Sequence, residues 1–223
     1  MPCVHSFITN GMQERLSDIY KRYNTVFKPL VAEQEARMCA IQDNLAMCMS
    51  MMFDYYYLYV NDSSNTYFID NMVDTLNCGI SMCYFNIATF MEENVVERFE
   101  KENDKHVRRS LNDGEFIVKY EDVLIEIKRC KESLNPAVAE INKTLKKNRG
   151  IIDYQIIKNF ADNQIKFEEY YKRLIEIESL INSVSDVQTL VHANGNYKLK
   201  TIFGWVSSIV VAVIVGKIFH HFC

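Results

Sequence analysis

Apolar residues return at every third or fourth position of this chain from Leu16 to Val184, and only 7 Gly and 3 Pro interrupt its 223 residues. That spacing gathers them on one side of a helix, and no strand-like alternation, internal repeat or low-complexity tract competes with it. The chain is therefore expected to be all-α. Leu16, Ile19, Tyr23, Val26, Leu30, Met38, Ile41, Leu45, Cys48 and Met52 read as one long helix from Asn10 to about Val60. Its heptad slips between Leu30 and Met38 with Gln34 at the seam, and Pro29 should bend it. The Met- and Tyr-rich run from Met47 to Tyr59 reads as crowded bundle core in preference to a binding groove.

Asn61-Asp-Ser-Ser-Asn65 supplies a turn and N-cap candidates for a second helix carrying Val73, Leu76, Ile80, Cys83, Ile87 and Phe90. It continues through Val95 and Phe99 into mixed charge as far as Arg109. Ser110 to Gly114 breaks the pattern, and Phe116, Tyr120, Val123, Ile127, Cys130 and Leu134 resume it. Asn135-Pro136 reads as a fresh helix start, with Asn as N-cap and Pro at the first helical position. The cleanest heptad follows, Phe160, Phe167, Leu174 and Ile181 with Tyr170, Ile177 and Val184, and should end near Ser185.

A different pattern closes the sequence. Residues 202–216 carry no charge, and if Lys217 reaches toward the headgroups the apolar run extends to Phe219, about 27 Å of helix. Its Val and Ile occupy every face, which suits a membrane span better than a core helix. Ile202, Val210 and Val213 would face lipid, Trp205 would sit at one interface, and Lys217 with His220 and His221 would guard the exit. The expected organisation is a helical domain over 10–185, a linker over 186–200 and a transmembrane tail anchor over 201–219. The N-terminus would face the cytosol.

The seven cysteines form no CxxC pair, and no His stands at ligand spacing from them. They fit a reducing compartment as small apolar residues, with no disulfide framework, metal or cofactor expected. The seven glycines build no phosphate-cradling loop and the five histidines no triad or metal motif, so the chain is not expected to be an enzyme. Charge is unevenly spread. Residues 128–149 hold seven basic and two acidic side chains, net +5, which leaves about −9 for the rest of a chain whose total is −4.

Val95-Val-Glu-Arg-Phe-Glu100 and Asn159-Phe-Ala-Asp-Asn-Gln-Ile-Lys-Phe-Glu-Glu-Tyr-Tyr-Lys-Arg-Leu174 resemble helices 2 and 3 of BAR domains of the sorting-nexin and ciliary type. The resemblance covers about residues 10–185. It implies an elongated three-helix antiparallel bundle that pairs as a crescent-shaped homodimer and senses, bends or scaffolds membrane. The dimer centre would then be built by Phe160, Phe167, Leu174, Ile177 and Ile181. Anionic lipid would be met by Lys128, Arg129, Lys131, Lys143, Lys146, Lys147 and Arg149, gathered around a hairpin tip at Leu134 to Pro136, and nucleic acid is not an expected partner.

Two other classes share a helical head and a C-terminal anchor. A SNARE-like or tethering protein is disfavoured by Asn194-Gly-Asn196, which interrupts the helical pattern before the membrane. An apoptosis regulator of the Bcl-2 type would normally carry an Asn-Trp-Gly-Arg signature, and the single Trp lies in the tail instead. The shortness of the apolar run and its basic flanks point to the mitochondrial outer membrane or the endoplasmic reticulum. A fusion of residues 196–223 to a soluble reporter should therefore reach an intracellular membrane and resist alkaline extraction. Arrival at the plasma membrane, or release by alkali, would overturn the tail-anchor reading.

Overall fold

The computed structural model describes residues 10–37, 43–62, 65–147 and 154–184, and the expected linker and tail anchor lie outside them. The described residues are helical and contain no strand. The elements are α1 (Asn10–Arg22), α2 (Lys28–Ala36), α3 (Asp43–Asn61), α4 (Tyr67–Met91), α5 (Glu97–Glu102), α6 (Lys105–Ser110), α7 (Glu115–Lys147), α8 (Tyr154–Asp162) and α9 (Gln164–Val184).

The helix expected over residues 10–60 is two legs. Its first leg passes from α1 to α2 through a π turn, Tyr23–Phe27, in which the Lys28 N–H bonds the Tyr23 carbonyl. Pro29, at the start of α2, follows that widened turn directly. Gln34, the seam residue, is buried. The leg ends at Arg37 (φ −82°, ψ 0°), and α3 then returns along it: the Tyr59 hydroxyl donates to the Met12 sulfur at 3.4 Å. Length gives the reason. An unbroken helix over 10–60 would run roughly 75 Å, whereas α4, which both legs cover, has 25 residues and spans about 37 Å.

The corner after the second helix opens earlier than Ser110. A π turn at Glu92–Val96 leads into α5, which stops at Asn103, where the backbone is extended (φ −126°, ψ 108°). Asp104 caps α6 by accepting from the N–H groups of His106 at 2.8 Å and Val107 at 2.9 Å. The expected break at 111–114 is a 3-10 turn ending at Gly114, whose φ of 93° favours glycine.

Asn135-Pro136 does not start a helix, because α7 runs through it for 33 residues. Phe116, Tyr120, Val123, Ile127, Cys130, Leu134 and Ala137 form one buried stripe on either side of the proline, which itself faces solvent. The buried face crosses the proline from Leu134 to Ala137, so the helix keeps one packed side despite the roughly 3 kcal/mol cost of an interior proline.

Neighbouring residues fix the directions. Tyr154 meets Asp74, Ser81 meets the Phe160 carbonyl, Phe167 meets Phe85 and Tyr170 meets Glu92, so α8 and α9 run parallel to α4. Phe99 packs on Phe116 while Glu92 binds Lys131, so α7 runs the opposite way. Tyr171 donates to Glu33 and Arg37 chelates Glu178 at 2.8 Å through both terminal nitrogens, which ties α2 to α9. α9 ends at Val184, close to the expected boundary.

Replacing Pro136 by Ala distinguishes a continuous α7 from a helix start. The substitution should stabilise the chain toward urea by about 1–3 kcal/mol, because it restores an interior N–H and removes a ring clash. A neutral or destabilising result would mean that Pro136 sits where a helix begins.

Candidate docking surface

With α7 unbroken, there is no tip at residues 134–136 for basic residues to flank. Lys128, Arg129, Lys131 and Lys143 are instead exposed along one helix. At 100° per residue, Lys128, Arg129 and Lys143 lie on the side away from the buried stripe, whereas Lys131 falls at the stripe's edge beside Tyr120. Their chemistry differs. Arg129 pairs with Glu126 at 2.5 Å on its own helix. Lys131 binds both oxygens of Glu92, at 2.8 and 2.9 Å, and Glu92 also accepts from the Tyr170 hydroxyl at 2.6 Å. Burial and then the Glu92 carboxylate hold that phenol well above its ordinary range. Lys131 is thus a tie between α7 and the π turn that follows α4, at a cleft of about 280 Å³ lined by Phe85, Leu134 and Val138. Lys128 and Lys143 have no carboxylate partner among the described residues. The side chains of Lys146 and Lys147, and all of Arg149, lie outside the described residues.

The five residues expected at a dimer centre are placed inside one chain. Phe167, Leu174 and Ile177 are fully buried, and Phe160 and Ile181 nearly so. Phe167 stacks on Phe160 at 5.1 Å and meets Phe85 edge-on at 5.6 Å. Contacts within the protomer account for this stripe, and a second copy has no access to it while α9 stays packed. The anchor residues Ile202, Trp205, Val210, Val213 and Lys217 lie outside the described residues. Among the described residues, no helix is long and apolar enough to cross a membrane.

A surface that the periodicity did not separate from core lies on α3. Cys48, Met52 and Tyr59 face α4, whereas Phe53, Tyr56, Tyr57 and Val60 face outward at positions i, i+3, i+4 and i+7. Phe53 is 61 % exposed and Tyr57 69 %. Exposed Tyr67 and Tyr154 extend the aromatic surface across the starts of α4 and α8, where the Tyr154 hydroxyl donates to Asp74 at 3.2 Å. Burial, then Asp74, then Tyr67 and Tyr55 push the Tyr154 phenol up. The surroundings are acidic: Asp54 and Asp62 are exposed beside the stripe, and Asp70 is bridged by Arg15. A signal for this face was present in the sequence, because no Lys, Arg or His occurs between Arg37 and Arg98.

Among the described residues, no three His, Cys, Asp or Glu side chains converge as metal ligands. The contrast between the α7 lysines can be measured on a fragment of residues 1–190, which lacks the tail. Lys128→Glu with Lys143→Glu should weaken flotation with anionic vesicles and leave stability unchanged. Lys131→Glu should instead lower the unfolding free energy by about 1 kcal/mol, since it sets a carboxylate against Glu92. Equal flotation of parent and double variant would reduce the basic face to ordinary solvated surface.

No family model, curated protein or solved structure matches this chain, so its function must be argued from these two surfaces and the apolar run at its end.

Proposed function

We propose that this chain is a non-enzymatic scaffold tethered to an intracellular membrane by residues 201–219, whose helical head uses α3 to dock a protein partner. The outward Phe53, Tyr56, Tyr57 and Val60 stripe carries the reading. Large aromatic side chains anchor protein interfaces because they bury much apolar area with little loss of rotamer freedom. The acidic surroundings select the occupant. An anionic bilayer is repelled by Asp54 and Asp62, whereas a protein segment with an apolar face and a Lys/Arg rim is attracted. The position is compatible with a tether. The Tyr67 and Tyr154 end of the surface lies about 45 Å along α8 and α9 from Val184, after which the chain leads toward the apolar run.

The full chain in neutral detergent micelles, titrated with synthetic amphipathic helices, tests the proposal. A helix with a Leu/Phe face and a Lys/Arg rim should bind, more weakly at high salt, while the same helix with a Glu rim should not. Phe53→Ser with Tyr57→Ser should abolish binding and retain helix content, because both side chains point away from α4. Failure of the basic helix to bind, or binding that the double variant preserves, would overturn the docking reading.

A second reading follows from the BAR resemblance and is supported by the antiparallel run of α4–α5, α7 and α8–α9. In it the exposed Lys128 and Lys143 contact anionic headgroups, each contributing on the order of 1 kcal/mol, and the head shapes or scaffolds the membrane that its tail enters.

A further inference from the structure

A chemically distinctive cluster among the described residues lies beneath the docking stripe and plays no part in it. Cys48 of α3 and Cys78 and Met82 of α4 bring three sulfur atoms together, with Cys48 Sγ 3.7 Å from Cys78 Sγ, Cys48 Sγ 3.8 Å from Met82 Sδ, and Cys78 Sγ 3.9 Å from Met82 Sδ. The triangle is nearly equilateral. A point equidistant from its corners stands about 2.2 Å from each, close to the metal–thiolate bond length of about 2.3 Å seen with zinc. We propose that Cys48, Cys78 and Met82 form a three-sulfur binding site for copper(I).

Ligand type and number both select this ion. Two thiols and a thioether form a soft donor set, which favours copper(I) over the harder divalent ions. Zinc would require a fourth ligand, and no His, Asp, Glu or further Cys joins the pair of cysteines among the described residues. Cys78 and Met82 stand four residues apart on one face of α4, which holds two donors in register before any ion arrives. Cys48 is 2 % exposed, Cys78 0 % and Met82 4 %, so the site excludes water. The balance is simple. Two copper–thiolate bonds replace two S–H bonds and both protons leave to solvent, so two thiolates and one thioether around a monovalent cation carry one net negative charge. Copper stays in the same oxidation state throughout. Entry requires α3 to lift from α4, its main packing partner among the described residues, and that movement uncovers all three sulfurs.

The test uses the full chain, reduced and kept anaerobic in detergent, with copper(I) supplied from its bathocuproine complex. Serine replaces Cys3, Cys39, Cys83, Cys130 and Cys223 so that other thiols do not contribute. The expected result is one copper(I) retained per chain against the chelator, with three sulfur neighbours by X-ray absorption and a higher unfolding temperature than the metal-free protein. Met82→Leu keeps the side-chain volume and removes only the thioether. It should drop the sulfur count to two and weaken retention at least about tenfold. Cys48→Ser should abolish retention. Failure of the parent to retain copper, or retention by Met82→Leu with unchanged affinity and sulfur count, would overturn the site and leave the three sulfurs as core packing.

Discussion

The constraint on which the rest of the structure depends is the burial of α4 on every side. Between Thr75 and Met91 it carries no charge, and Leu76, Ile80, Cys83, Ile87 and Met91 are joined in the core by Cys78, Met82 and Ala88 from its other faces. Such a helix must be covered all round, and the N-terminal legs, α8 and α9 each take a side of it. Two of its buried hydroxyls are satisfied close by, whereas the buried Asn71 side-chain amide finds no partner among the described residues. Thr75 donates to the Asn71 carbonyl at 2.7 Å, and the Ser81 hydroxyl lies 2.8 Å from the Asn77 carbonyl and 2.9 Å from that of Phe160. Gly79 permits the closest approach: the Phe27 ring lies 3.0 Å from where a Cβ would stand. The side chain that fills that space therefore comes from the turn where α1 becomes α2.

The sequence showed which residues face inward better than it showed where the chain turns. Every member of the Phe116 to Leu134 and Phe160 to Val184 stripes is buried as the three-four spacing required, and Gly114 marked its turn through backbone conformation alone. The reversal after Arg37 was hidden because the apolar spacing continues through it, and periodicity reports which side of a helix is buried without reporting how long that helix can be. Pro136 misled for a related reason. Asn-Pro is a local signal, whereas the buried face of α7 continues across it from Leu134 to Ala137. Local preference yields when a continuous apolar face has a partner of matching length.

The surfaces were legible to different degrees. Net charge located the basic stretch on α7, yet it could not show that Lys131 closes a triad with Glu92 and Tyr170, because that contact spans 39 residues to one partner and brings in a third from α9. On α3 the composition concealed the division of labour. Eleven residues of Met, Tyr, Phe, Leu and Val between Met47 and Val60 look like core from every side, and only the position of α4 separates Met52 and Tyr59 from Phe53 and Tyr57. The missing information was the direction of the partner helix. The run without basic residues between Arg37 and Arg98 does reveal the electrostatic character of that surface, since an acidic face needs no fold to be counted.

The two properties proposed for α3 are coupled by its geometry. Cys48 on its inner face and Phe53 and Tyr57 on its outer face belong to one rigid element of 19 residues, held chiefly by the packing of Cys48, Met52 and Tyr59. A helix covered on one side only opens at a lower free energy than the core it rests on. An ion that binds Cys48 together with Cys78 and Met82 binds only the closed position, and a partner that reads Phe53 and Tyr57 of α3 together with Tyr67 of α4 also requires that position. Each ligand therefore shifts the same equilibrium, and reciprocity demands that copper(I) strengthen docking by the factor by which the partner strengthens copper retention. The size of that factor is limited by the population of open α3, because a helix that is closed in nearly every molecule leaves either ligand little to shift.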